Sequence, residues 1–462
     1  MTAMTASAGR VVRRVGRRRI WVGGWLLAAV WAGAFPLVST LDTHRVWGAC
    51  AAAGYGGAAL ASCLLPRPRA RTWAVGCALL GALVLPLLYL LLTGSGQSEV
   101  AVIERSAELL VSQSTPYLAD PLTVTDYNPY LPGMALFGLP RALFGDGGPA
   151  RILGDARVWC AAVFLLSLWA GRRVLAAPAG SRAALATTLP APSRTSRAPR
   201  TFRTALAVLI ASPVVALPLC VSGVDLPMTG LCCLGLALAA RHRPVAAGLV
   251  LAAACSLKWT AWPALAVAVA LLAASGAGGG RRAVRCALVT AAGTLAAVLP
   301  SALLSPGPMF QQVLAFPTGR APVATPAASP LPGRLLADLG PVGWYAAMAL
   351  LLCGGTAVAA SLVVRPPAGV VAAADRLALG LCTAFLLAPA GRFGYLALPL
   401  VLFVWPRIAA GSDRPFSHRP FSHRPFSHHP GSHGPGSLAP GRRTVPGPAR
   451  RPLPAVPAGG AR

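Results

Sequence analysis

The chain has 462 residues, 55% hydrophobic and 11% charged, with a mean hydropathy of +0.62. A soluble domain carries about 25% charged residues, so a large soluble core is excluded and an all-α, polytopic integral membrane protein is expected. The formal charge of +29 does not signify nucleic acid: the arginines fall in short clusters between apolar runs, as the positive-inside rule requires, and no recognition motif or aromatic-interleaved basic face accompanies them.

The N-terminal segment 1–19 is basic and is followed by the apolar run 20–41. That run is too long for a signal-peptide core and many spans follow, so it reads as a signal anchor with a cytoplasmic N-terminus. A span needs about 20 apolar residues, fewer if it is packed inside a bundle. On that basis about twelve transmembrane helices are expected, at 20–41, 46–65, 73–94, 156–177, 204–222, 226–240, 244–257, 260–275, 286–304, 341–364, 370–389 and 393–407. The domain so defined covers 20–409, and 410–462 is a Pro/His/Arg-rich, disordered cytoplasmic tail.

Lys258 is the only lysine; the other 40 of the 41 basic residues are arginine. It divides an apolar stretch, and the division decides the topology. With a break there, the inside segments are 66–72, 178–203, 241–243, 276–285, 365–369 and the tail. A continuous span would invert every later loop and put Arg281 and Arg282 outside, against the rule. An ammonium group mid-bilayer costs about 3 kcal/mol, so it has a job or a partner. The plainer reading is a snorkelling lysine at a helix end, beside Trp259 and Trp262 as an interface belt.

The long outward loop 95–155 holds Glu99, Glu104, Glu108, Asp120, Asp126, Asp146 and Asp155, more than half of the chain's 12 acids. Its pattern predicts an amphipathic helix over 99–111 and a second short helix over 133–144, after the breakers Asn128-Pro129 and Leu131-Pro132. Both would lie on the membrane surface. A second outward loop, 305–340, is rich in Pro, Ala and Gly. The inside loop 178–203 has a disordered composition. In the tail, Arg-Pro-Phe-Ser-His begins at Arg414, Arg419 and Arg424, followed by a variant from His429; this is a slipped low-complexity repeat rather than a metal site.

Chemistry is sought on the outward side. Glu99 follows the third span, Asp225 opens the sixth, Lys258 breaks the chain between the seventh and eighth, and Arg392 precedes the last. Paired cations fit a phosphate or pyrophosphate at the membrane surface. A nearby carboxylate fits a general base for a hydroxyl nucleophile. Each of these charges is also compatible with an ordinary helix-end position in the headgroup layer, a reading that fits Glu104 and Glu108 best. The run Gly278 to Gly280 has no phosphate-loop context. His44, the only outward histidine, makes a Ser-His-Asp site unsupported, and no metal cluster is visible. Eleven scattered cysteines lack zinc or disulfide spacing and read as small packing residues. No cofactor is expected, whereas the need for a divalent metal stays open; any donor substrate is presented from the membrane.

Four segments carry a resemblance: Ser98-Glu99 through Pro116-Tyr117 and then Tyr127-Asn128-Pro129 through Phe144-Gly145; Gly223-Val224-Asp225; Ser256-Leu257-Lys258-Trp259-Thr260-Ala261-Trp262-Pro263; and Ala390-Gly391-Arg392-Phe393-Gly394-Tyr395 to Pro399. In order and sidedness they resemble the actinobacterial membrane glycosyltransferases of the C-type fold, the mannosyltransferase-like group that uses polyprenyl-phosphate sugars. The resemblance implies an inverting transfer of a hexose, mannose in that group, to a lipid-linked or cell-envelope glycan at the outer face of the plasma membrane. It implies Glu99 as the base, although the family usually has Asp in this loop and Ser98 falls where that Asp would be. Lys258 and Arg392 would hold the donor phosphate, Asp225 would orient one of them or the acceptor, and Tyr127, Tyr395 and Glu104 would contact substrate. Membrane lipids, a polyprenyl-phosphate sugar and a glycan or glycolipid acceptor are the implied partners. A transporter or flippase of lipid-linked sugars is the alternative; the lack of a clear inverted repeat weighs against it. A non-catalytic scaffold is the third possibility.

Overall fold

A computed structural model describes residues 2–177 and 198–411. The tail repeat and most of the 178–203 loop lie outside the described residues.

Helix α1 (Thr2–Val38) packs on α2 (Asp42–Leu64), and α2 packs on α3 (Arg67–Leu79). A π-helical turn, Leu80–Val84, joins α3 to α4 (Leu85–Leu92). The turn falls where α2 comes closest: a Cβ on Gly54 would lie 2.6 Å from the Gly81 Cα, an approach only small residues permit. A π-turn leaves carbonyls without their usual partners, and Trp47 Nε1 donates to the Ala82 carbonyl at 2.8 Å.

The first long loop is ordered. It holds α5 (Ser98–Gln113), 3₁₀ turns at Val124–Asp126 and Pro132–Phe137, α6 (Leu139–Phe144) and α7 (Pro149–Gly154). Helix α5 covers the expected 99–111, burying Val100, Val102, Ile103, Ser106 and Ala107. The second expected helix is split between the 3₁₀ turn and α6. Met134 and Tyr130 of this loop join the main apolar core, so the segment is packed into the protein rather than only laid on a surface.

Next come α8 (Ala156–Ala176), α9 (Ala198–Ala211) and α10 (Pro213–Val221). α9 and α10 form one line bent by 62°. Pro213 has no N–H to offer the Leu209 carbonyl, which accepts from Ser212 Oγ at 2.6 Å instead; Tyr55 Oη caps the Ala211 carbonyl at 2.7 Å. Helix α11 (Leu226–Ala240) is buried along nearly its whole length, as a helix apolar all round must be. It is encircled by α8, α12 (Pro244–Leu257), α13 (Trp262–Ala273), α18 (Val370–Leu387) and α19 (Ala397–Ala409). Between α13 and α18 run α14 (Gly279–Leu304), α15 (Pro306–Phe310), α16 (Pro332–Ala337) and α17 (Pro341–Val364).

Helices occupy all twelve expected span positions, including the break at Lys258. Six are long and apolar enough to cross a membrane, or seven if the bent pair is one span: Arg18–Val38, Arg69–Leu92, Ala156–Ala176, Gly279–Leu304, Pro341–Val364 and Val370–Leu387, with Phe202–Ala211 plus Pro213–Val221. The other expected spans fall short of that measure. Leu226–Ala240, with 15 residues, rises about 22 Å against a hydrocarbon core of about 30 Å. Helix α2, with 23 residues, is long enough but falls short in hydropathy, being rich in glycine (Gly48, Gly54, Gly56, Gly57) after a polar first turn.

Candidate active site

Helix α12 stops at Leu257 because Lys258 turns extended, at φ −158° and ψ 137°; a 3₁₀ turn, Trp259–Ala261, then leads into α13 with Pro263 in its first turn. The last carbonyls of a helix have no internal partners. Here Leu257 O accepts from the backbone N of Leu131 at 3.0 Å, and Cys255 O accepts from Trp262 Nε1 at 3.2 Å. The first of these bonds docks the long loop onto the end of α12. Gly133 completes the docking, since a Cβ there would stand 2.8 Å from the Ser256 carbonyl oxygen. Tyr130 is thereby brought over Lys258.

Asp225 is reached through Gly223, whose φ of +69° is the left-handed conformation that favours glycine. It occupies the N-cap position of α11, yet its carboxylate makes no cap hydrogen bond. The carboxylate accepts instead from Lys258 Nζ at 2.7 Å, with side-chain exposures of 12% for the lysine and 18% for the aspartate. The ammonium also lies 4.9 Å from the Tyr395 ring centroid and 5.3 Å from that of Tyr130, within cation–π range. Burial pulls the lysine pKa down, but the Asp225 carboxylate, helped by Tyr395 and Glu99, holds it above its ordinary value.

Glu99 lies in the first turn of α5. Its Oε1 is ion-paired with Arg392 Nη1. Arg392 is extended, between α18 and the 3₁₀ turn Phe393–Leu396. Its neighbour Gly391 is held by the second long loop, donating to Ala327 O at 2.9 Å and accepting from Ser329 N at 3.0 Å. Burial opposes the charge on Arg392, and Glu99 more than offsets it, so its pKa is raised. Tyr130 is pushed well up, first by burial and then by the charges of Asp225 and Glu99.

The structure therefore gathers Glu99, Asp225, Lys258, Arg392 and Tyr395 at one place. It does not bring Tyr127 and Glu104 there. Tyr127 is 1% exposed, stacks on Phe316 at 4.5 Å and accepts from Gln311 Nε2. Glu104 faces Arg141 Nε at 3.3 Å and accepts from the Ala156 N at the start of α8, a site where a helix dipole favours a carboxylate. Burial raises the Glu104 pKa, Arg141 opposing.

Tyr130 is a member of the neighbourhood that sequence reasoning missed, and His44 one that it placed on the outward side but set aside. Tyr130 had a signal, an aromatic bracketed by Pro129 and Pro132 in the acidic loop. His44 shares a 2.6 Å hydrogen bond with Gln97 Nε2; burial lowers its pKa, the Glu99 charge opposing and Arg392 adding to the fall. Among the described residues, no group of three His, Cys, Asp or Glu side chains is placed to hold a metal ion.

This arrangement can hold an anion on two cations with a carboxylate beside it. Neither the curated proteins nor the solved structures supply a match to the chain. The model of glycosyltransferase family 87 matches residues 128–389, more than half of the chain. The matched region includes Tyr130, Asp225 and Lys258, begins after Glu99 and ends just before Arg392. The chain belongs to glycosyltransferase family 87.

Proposed function

We propose that the protein is an inverting hexosyltransferase of the plasma membrane with a C-type fold of twelve crossings. It takes a sugar, mannose, from a polyprenyl-phosphate carrier at the outer face and passes it to a lipid-linked or cell-envelope glycan. Both termini are cytoplasmic, flanking a domain of residues 20–409. One observation carries this reading: two cation–carboxylate pairs, Lys258–Asp225 and Arg392–Glu99, contributed by four distant segments, meet around Tyr130 and Tyr395. The sidedness is supported by the run of the helices. α11 leads from Asp225 to Arg241 and α12 returns from Arg243 to Lys258, so the basic turn lies at the opposite end from the cluster, as the positive-inside rule favours.

In the free protein Arg392 is engaged by Glu99. The donor phosphodiester, a monoanion with two non-bridging oxygens, bridges Arg392 and Lys258 through charge-assisted hydrogen bonds, and Arg392 turned toward it leaves Glu99 to act as base. The acceptor hydroxyl gives its proton to Glu99, its oxygen attacks the anomeric carbon from the face opposite the phosphate, and the carbon–oxygen bond to phosphate breaks. The electron pair leaves on the phosphate oxygen, where the two cations stabilise it. Asp225 holds Lys258 in place, and Tyr395 lines the sugar side. Exposed Trp259, Trp262 and Phe393 adjoin the two cations in sequence and suit a lipid-borne donor arriving from the bilayer. Family membership favours this reading over a transporter or a non-catalytic scaffold.

The test is transfer from radiolabelled polyprenyl-phosphate mannose in membranes, comparing wild type with Glu99→Gln and Lys258→Ala at matched expression. Collapse of transfer in both variants supports the assigned base and phosphate contact; loss of a general base is worth about 10²–10⁴-fold. Full transfer by Glu99→Gln removes Glu99 from the role. No transfer by wild type removes this donor, and a lipid-linked-sugar flipping assay then decides for the transporter.

A further inference from the structure

Arg157 is buried to 1% side-chain exposure beside Asp155 at 5%. Its guanidinium grips Asp155 with two bonds, Nε to Oδ1 at 2.9 Å and Nη2 to Oδ2 at 2.7 Å. The remaining arm, Nη1, reaches two backbone carbonyls from different parts of the chain: Ser95 O at 2.9 Å and Cys220 O at 3.0 Å. Ser95 stands in the turn that leads from α4 to Glu99. Cys220 stands at the end of α10, just before the turn that leads to Asp225. The two segments also bond directly, Gln97 N donating to Val221 O at 2.9 Å. Both turns are glycine-bearing where they close on the arginine: a Cβ on Gly96 would lie 3.6 Å from the Arg157 Cζ, and one on Gly223 would lie 3.6 Å from its Cα.

A buried ion pair is weak grounds for stability, since apolar residues of similar volume often serve as well. It is a good way to fix position, because a planar fork of five donors holds several acceptors at set angles. We propose that Arg157, oriented by Asp155, is a positioning residue: it sets the Glu99 segment and the Asp225 segment in register, so that the Arg392–Glu99 and Lys258–Asp225 pairs face one site. It acts through backbone and touches neither carboxylate. The inference rests on the reading that Glu99 and Asp225 work together in transfer.

The experiment uses the full-length chain with Arg157→Lys, which keeps the charge beside Asp155 but cannot fork onto Asp155 and both carbonyls. Two readouts are taken: kcat and donor KM per folded protein, and hydrogen–deuterium exchange in peptides covering 93–99 and 219–226. Exchange is expected to rise in both peptides. Misplacement by about 1 Å costs on the order of 10²-fold, so kcat should fall by about 10–100-fold with donor KM within about threefold. Arg105→Lys, at a half-buried ion pair with Asp126 in the same loop and bonded to neither turn, should change neither readout. If Arg157→Lys does not fold, Asp155→Glu shifts the fork with both charges kept and should give the same pattern. Unchanged exchange, a rise in one peptide only, or an unchanged kcat in folded variant overturns the proposal. If wild type transfers nothing, the transferase reading fails, while the exchange result still decides whether Arg157 couples the two segments.

Discussion

Lys258 Nζ donates to the Asp225 carboxylate at 2.7 Å beneath the rings of Tyr130 and Tyr395. The chain's one lysine is thus neutralised by a partner from another helix end rather than snorkelling free to the headgroups.

That pairing has a chemical readout, because an amine-selective reagent can modify only Lys258 and the N-terminus. Burial alone lowers the lysine pKa, and the Asp225 carboxylate reverses this and holds it above 10.5. A raised basic pKa means the pairing stabilises the fold fully below about pH 10.5 and fades as pH rises through the folded value. Acylation at pH 9 should therefore be slow in wild type. Asp225→Asn leaves burial without the compensating charge, so the amine loses its proton more readily and labelling should be several-fold faster by peptide mass spectrometry. Equal rates would dissolve the pair.

Arg392→Ala should act mainly on the donor. A hydrogen bond to a charged group is worth about 1.5–3 kcal/mol, so donor KM or Kd should rise by about 10–150-fold, with a smaller rise for Arg392→Lys, which keeps charge but loses the fork. A change confined to acceptor KM would reassign the residue.

Tyr130→Phe keeps a π face above the ammonium, and Tyr130→Leu does not. A buried cation–π contact is worth about 0.5–2 kcal/mol. The leucine variant should lose stability by about that amount and expose Lys258 to acylation, while the phenylalanine variant stays near wild type. Similar labelling of both would mean the ring does not engage the lysine.

Gly133→Ala puts a methyl 2.8 Å from the Ser256 carbonyl oxygen. Overpacking of this kind costs about 1–3 kcal/mol, here at the contact that seats the loop on α12. A fall of several degrees in melting temperature with faster proteolysis inside the loop is expected. Gly147→Ala, with nothing within 4 Å, should be silent.

Helix positions were legible in the sequence because hydropathy, proline and glycine act locally. The end of α12 at Lys258 followed from charge bookkeeping alone, whereas the bend at Pro213 inside the expected span 204–222 did not, since Pro36, Pro218, Pro300 and Pro406 all lie within helices. Span counting was less secure. α11, with 15 residues, is shorter than the hydrocarbon core is thick and is wrapped by five helices, and only packing reveals which apolar helices are so enclosed. Among the site residues, Glu99, Asp225, Lys258 and Arg392 could be nominated by type and sidedness. Tyr127 and Glu104 could not be told from them, since a buried aromatic and a helix-capping acid look the same in a string of letters as a substrate contact does.

By itself the sequence determined that this is a helical membrane protein with most of its acids in one loop and a lysine at a break, since composition and periodicity are properties of neighbouring residues. Only the tertiary structure decided the partners. Glu99 and Arg392 are 293 positions apart and Lys258 and Asp225 are 33 apart. Whether a charge meets its opposite, a ring or solvent depends on which helix ends pack together. That choice is made by the packing of α8, α11, α12, α13, α18 and α19 together with the contacts that seat the connecting turns on them, such as Leu131 N on Leu257 O.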